Sequence, residues 1–134
     1  MTVEPLCPDD AGDLLALTPG PVVITEGAHG AVVRENGIVL AFALLRETAY
    51  GYVIDELRCV QSYRGERALA RLAAWTEATV GRIAAERGLP ALQLGGICEL
   101  RNARHYAALL GRGYEVVAHV LAKEIPALVP EAVS

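Results

Sequence analysis

Cys59-Val60-Gln61-Ser62-Tyr63-Arg64-Gly65-Glu66-Arg67-Ala68-Leu69 is the stretch on which the reading of this chain turns. A strand-like run ends there in a short polar turn centred on Arg64-Gly65, and a long amphipathic pattern follows at once. A helix starting at such a turn offers backbone N–H groups without intrahelical partners, together with the positive end of its dipole. That end suits a phosphate or pyrophosphate. Arg64 and Arg67 add charge-assisted donors, and Gly65 allows a ligand to approach the backbone closely. The alternative is an ordinary strand–turn–helix connection with solvated arginines.

Working outward, Leu69, Leu72, Ala73, Thr76, Val80, Ile83 and Ala84 recur at helical spacing, with Arg67, Arg71, Glu77, Arg82 and Glu86 on the other side. Gly88 and Pro90 stop that helix. Upstream, Tyr52–Val60 reads as a strand. Ala31–Arg34 and Ile38–Leu45 flank Glu35-Asn36-Gly37, a strong hairpin signal. The second arm is apolar throughout, as in a strand covered on both faces. Pro8-Asp9-Asp10 opens a short helix to Leu17, and Val22–Ile24 is a brief strand. Downstream, Ala91–Leu94 is a short strand broken by Gly95-Gly96, Asn102 caps a helix to about Leu110, and Tyr114–Ile125 forms a last strand. The order is helix, hairpin, strand, long helix, strand, helix, strand: an α/β layer on a mixed sheet.

The 134 residues make one domain, 1–134, with an irregular Pro-punctuated tail at 126–134. With 53% apolar but only 5% aromatic residues, the core is built from Ala, Val, Leu and Ile. A net charge of −4 argues against a nucleic-acid partner. The longest apolar run, Ile38–Leu45, is far short of the ~20 residues that span a bilayer. Met1–Pro5 has no basic n-region, which reads against a secretory leader. Cys7, Cys59 and Cys98 show no paired or zinc-like spacing and read as reduced thiols in a cytoplasmic protein. Trp75 lies off the main apolar stripe, either packing on the edge or covering a homodimer contact.

This order resembles the GNAT superfamily of acetyl-CoA-dependent N-acetyltransferases on three motifs. Leu57–Gly65 looks like the family's fourth strand and pyrophosphate loop; Glu86-Arg87-Gly88 with Ala91–Leu94 looks like the end of its long helix and its fifth strand. Asn102 through Leu110 to Gly113-Tyr114-Glu115 looks like its Asn-headed helix and Gly-aromatic step. The resemblance covers roughly residues 22 to 125. It implies a mixed, mostly antiparallel sheet with splayed central strands and helices on both faces. It also implies transfer of an acetyl group from acetyl-CoA, as cosubstrate, to a primary amine of a small molecule or peptide. A domain that binds CoA without turnover is the rival reading.

What the resemblance implies for residues is specific. Backbone groups near Leu57 and Cys59 would hold the pantetheine arm, and amides from Arg64 through Gly65, Glu66, Arg67 and Ala68 to Leu69 would cradle the pyrophosphate. Asn102, a helix cap by its own chemistry, would also touch the arm. Glu56 or Asp55 stands where the family often places its general base, and strand alternation lets at most one face the cleft. The other readings are an ion pair between Glu56 and Arg58, and an edge or bulge position for Asp55. The position of the family's Tyr acid is Leu109, so Tyr106, His105 or a water would reprotonate the thiolate. His119 reads as a surface residue of the last strand and His29 as a solvated turn residue. The loop departs from the family where Glu66, Arg67 and Leu69 replace small residues, and Glu66 would repel a pyrophosphate unless it turns outward.

Overall fold

A computed structural model describes residues 1–24, 28–96, 103–116 and 123–128, with backbone alone at 103–106. The chain forms two compact units, Met1–Ile97 and Cys98–Ser134.

The first unit is an open five-stranded sheet in sequential order: β1 (Thr2–Pro5), β2 (His29–Glu35), β3 (Ile38–Thr48), β4 (Gly51–Cys59) and β5 (Gln93–Gly96). The first three pairings are antiparallel and β4–β5 is parallel. Asn36 and Gly37 both take positive φ, 53° and 79°, the geometry of a tight two-residue hairpin. The expected β2–β3 hairpin is therefore present. Strand β1 is an addition to the sequence reading; Thr2-Val3-Glu4-Pro5 carries little apolar signal because it is an edge strand.

Helix α1 (Tyr63–Glu86) crosses from β4 to β5 on one face of the sheet, burying Ala68 and Leu72 against Ala31, Val33, Ala41 and Ala43. Its far half packs Val80 and Ile83 against Leu45 and Tyr52. Small alanines on the strands let the helix lie close. The helix ends as expected: Gly88 N–H bonds to the Ala85 carbonyl and Leu89 N–H to that of Ala84, a Schellman stop. Trp75 is half-buried and packs on both clusters of its own protomer.

The other face is covered by a 3₁₀ helix, Pro8–Ala16, whose Leu14 is fully buried with Phe42, Val32 and Leu44. Arg34 on β2 fastens it, with Nη2 2.9 Å from Asp10 and 3.2 Å from Asp13. Val22–Ile24 is not a strand; Ile24 simply packs into the same cluster. No helix of the described residues is long and apolar enough to cross a membrane.

The second unit shows helix α2 (Ala103–Gly111). Of the expected last strand, residues 114–116 and 123–125 have no regular structure and 117–122 lie outside the described residues.

Candidate active site

Strand β5 pairs with β4 only from Gly51↔Gln93 to Ile54↔Gly96. From Asp55 to Cys59 the outer edge of β4 has no partner strand among the described residues. The described pairing ends at Ile54↔Gly96, and residues 97–102, on which the divergence expected at Gly95-Gly96 depends, lie outside the described residues.

At that same point β4 carries a β-bulge. Leu44 pairs with Glu56 and Leu45 with Ile54, so Asp55 is the extra residue. Ile54 packs under α1 with Val80, and Leu57 packs under α1 with Ala68 and Leu72. Two residues separate two that face the helix, so Asp55 and Glu56 both lie on the opposite face. The alternation rule, which allowed only one of them there, fails because the bulge resets it. Asp55 is therefore a bulge residue, as one sequence reading had it. Arg46 Nε lies 3.0 and 3.1 Å from its two oxygens. Glu56 takes the expected ion pair with Arg58, at 3.2 Å.

Leu57 and Cys59 turn their side chains into the core under α1, which leaves only their backbone to the open edge. Burial, and after it the carboxylate of Glu66, pushes the Cys59 thiol above its ordinary value. Cys59 is accordingly a core residue rather than a nucleophile.

The turn resolves into a helix start earlier than the apolar pattern places it. Ser62 is the N-cap, and its hydroxyl accepts from the Gly65 amide at 3.2 Å. Glu66 N–H bonds to the Ser62 carbonyl, the first turn of the helix. The amides of Tyr63 and Arg64 have no partner among the described residues. The unpartnered amides of this turn therefore lie N-terminal to most of the expected set. The amides of Glu66, Arg67, Ala68 and Leu69 are inside the helical ladder, and Ala68 is fully buried. Leu69 is half-buried beside the stripe that runs through Gly65, Ala68 and Leu72.

Gly65 also has a different role from the one expected. It is buried, and a Cβ there would overlap the carbonyl oxygen of Val60. Its smallness lets the helix sit against the end of β4, not a ligand against the backbone. Arg64 and Arg67 remain exposed beside the open amides, while Arg71 turns to the Met1 carbonyl at 3.4 Å. The amides, the exposed guanidiniums and a strand edge without a partner among the described residues fit the diphosphate and amide-bearing arm of coenzyme A.

A cleft of about 420 Å³ opens where β2 begins and β3 and β4 run on beyond it, and Asp55 lines it. Arg46, Glu47, Tyr52, Arg87 and His29 share the lining. Arg87 bonds Glu47 at 2.7 Å and the Tyr52 hydroxyl at 3.2 Å. His29 is not a solvated turn residue: it opens β2 and meets the Tyr52 ring edge-on at 5.6 Å. Sequence reasoning missed this group. The hairpin register could have brought Arg46 to Asp55, but nothing local links Glu47 to Arg87. Asn102 and His119 lie outside the described residues, as do the side chains of His105 and Tyr106; Tyr106 and Leu109 are placed on α2 by backbone.

No family model and no curated protein sequence matches the chain. Solved structures do. An aminoglycoside 6'-N-acetyltransferase from Acinetobacter baumannii superposes with a TM-score of 0.65 at 13% identity, over 94% of this chain and 98% of that one. AAC(6')-Iy, solved in complex with the bisubstrate analogue CoA-S-monomethyl-acetylneamine, gives 0.65 at 11% identity over 94% and 98%. A ribosomal-protein-alanine N-acetyltransferase from Brucella melitensis biovar Abortus 2308 gives 0.55 at 15% identity over 96% and 98%. The chain has the fold of the GNAT N-acetyltransferases, a mixed, mostly antiparallel sheet with helices on both faces.

Proposed function

We propose that this protein is an acyl-CoA-dependent N-acyltransferase that moves an acetyl group from acetyl-CoA to a primary amine by direct attack. One observation carries the reading. Among the described residues, β4 has no partner strand along its outer edge from Asp55 onward, a carboxylate pair at the start of that edge, and a helix N-terminus with two unpartnered amides at its end.

The amides of Tyr63 and Arg64 and the side chains of Arg64 and Arg67 hold the diphosphate. The backbone of β4 from Leu57 to Cys59 holds the arm, with Asn102 as a further contact. When bound, acetyl-CoA supplies an activated acyl carbon: its C–S bond breaks as an N–C bond forms, the amine loses a proton and the departing thiolate gains one. Asp55 and Glu56 are the candidate proton acceptors, and Asp55 has the better claim because it lines the cleft. Tyr106 is the candidate donor. Positioned acid–base groups of this kind contribute about 10²–10⁴-fold. Alignment of the amine and polarisation of the carbonyl add the rest. The acceptor is a small-molecule or peptide amine, residues 1–134 act as one domain in the cytoplasm, and a homodimer is compatible with that role.

The rival is a CoA-binding domain without turnover. It draws support from Arg46, which occupies both Asp55 oxygens. Calorimetric titration with acetyl-CoA, followed by free-thiol release across an amine panel, separates the two. The transferase reading expects binding and amine-dependent thiol release. Absence of binding at millimolar acetyl-CoA contradicts it, and binding with no release on any amine favours the rival.

A further inference from the structure

We propose that the cleft at Asp55 takes an acceptor that carries a carboxylate next to its amine, in the manner of a free amino acid; this rests on the transferase reading for its role as acceptor. The volume, about 420 Å³, is that of a small-molecule site. Among the described residues its charges come as two guanidiniums and two carboxylates: Arg46 with Asp55, and Arg87 with Glu47.

The two pairs are not equivalent. Arg87 uses both terminal nitrogens. One terminal nitrogen bonds Glu47 at 2.7 Å, the other bonds the Tyr52 hydroxyl at 3.2 Å, and the guanidinium carbon sits 5.9 Å from the Tyr52 ring centre. It braces the wall. Arg46 uses only Nε, toward Asp55. Its two terminal nitrogens have no partner among the described residues, and the side chain is 61% exposed. A terminal nitrogen of Arg46 gives a carboxylate a charge-assisted hydrogen bond. Asp55, held by Nε of the same guanidinium, matches an ammonium.

Ligand groups that meet Arg46 and Asp55 must then be neighbours themselves, because Arg46 and Asp55 are in hydrogen-bond contact. That requirement fits an amine and a carboxylate separated by one or two carbons. A polycationic acceptor is disfavoured. Each further ammonium would approach Arg46 or Arg87, and the described carboxylates that offset them, Asp55 and Glu47, are both already paired. A peptide N-terminus places an amide where the Arg46 edge calls for a carboxylate.

The test uses the full chain, with and without coenzyme A. Ligand-observed NMR is recorded with a panel of free amino acids, the matching amino acid amides, spermidine and kanamycin. Thiol release from acetyl-CoA is measured on the same panel. We expect at least one free amino acid to bind and react at least tenfold better than its amide. We expect Arg46→Gln and Arg46→Lys to lower that preference at least tenfold while calorimetric affinity for acetyl-CoA and the thermal midpoint hold. Amides or polycations binding as well as every free amino acid overturns the inference, as does no free amino acid binding in either condition. Amino acid binding that depends on Arg46, in a protein that fails to bind acetyl-CoA, upholds the ligand assignment and removes the transferase reading alone.

Discussion

Val60 presents its carbonyl oxygen to the Cα of Gly65, filling the space that a side chain at residue 65 would need. This contact seats the start of α1 on the end of β4 and so sets where the open amides of Tyr63 and Arg64 point. Replacing Gly65 with Ala brings two opposed effects. Helix propensity favours Ala by about 0.8–1.0 kcal/mol. Overpacking costs about 1–3 kcal/mol, and here the obstacle is a backbone oxygen that cannot rotate away. With the cost at the upper end of that range, Gly65→Ala should lose about 2 kcal/mol net in denaturant unfolding. Unchanged or higher stability would return Gly65 to a ligand-facing role.

Ser62→Ala removes the hydroxyl that caps the Gly65 amide. The expected loss is about 1 kcal/mol, read as a lower denaturation midpoint with an unchanged slope. Ser62→Asp should restore most of it, since a carboxylate accepts the same bond and favours the helix N-terminus.

Asp55 and Glu56 share one face through the bulge, so each can be tested alone. Asp55→Asn should lower kcat about 10²–10⁴-fold, the range for a positioned proton acceptor. Glu56→Gln, whose partner is the half-exposed Arg58, should change kcat less than about tenfold. The reverse pattern would move the role to Glu56. Thermal melts of both variants show that any loss is chemical.

The Cys59 thiol gives a pH signature. Its pKa is raised above the ordinary 9.0, first by burial and then by Glu66. The folded protein thus holds this proton more tightly than the unfolded chain does. The stabilisation is fully present below about pH 9 and is lost as pH rises through the raised folded value. Stability of the wild type should fall more steeply above about pH 9 than that of Cys59→Ala. Equal slopes would contradict the burial argument. At neutral pH, exposed Cys7 should be alkylated before Cys59.

Much of this fold was legible in the sequence, for reasons that differ by element. Asn36-Gly37 announced its hairpin because two consecutive positive φ values suit few other residues. Helix α1 was legible from Leu69 to Ala84 because its buried stripe is mostly apolar, but its start was not: Tyr63, Arg64, Glu66 and Arg67 are exposed and carry no periodic signal. Strand β1 is an exposed edge of four residues and escaped for the same reason.

The site was legible as a place but not as an arrangement. Turn chemistry pointed to the helix N-terminus, and the resemblance to the acetyltransferase superfamily pointed to Asp55 and Glu56. Their common orientation depends on a bulge in the pairing with Leu44 and Leu45, which no local pattern encodes. The Arg87–Glu47 pair joins a helix C-cap to the end of β3, a contact made only by tertiary packing.

The central claim, that coenzyme A rests its diphosphate on the N-terminus of α1, is tested most directly by amide NMR of the labelled protein during titration with coenzyme A. The account predicts the largest shifts at the Tyr63 and Arg64 amides and along residues 55–59, with Ala68 and Leu69 little moved. Tyr63 and Arg64 amides unmoved at millimolar coenzyme A would contradict it.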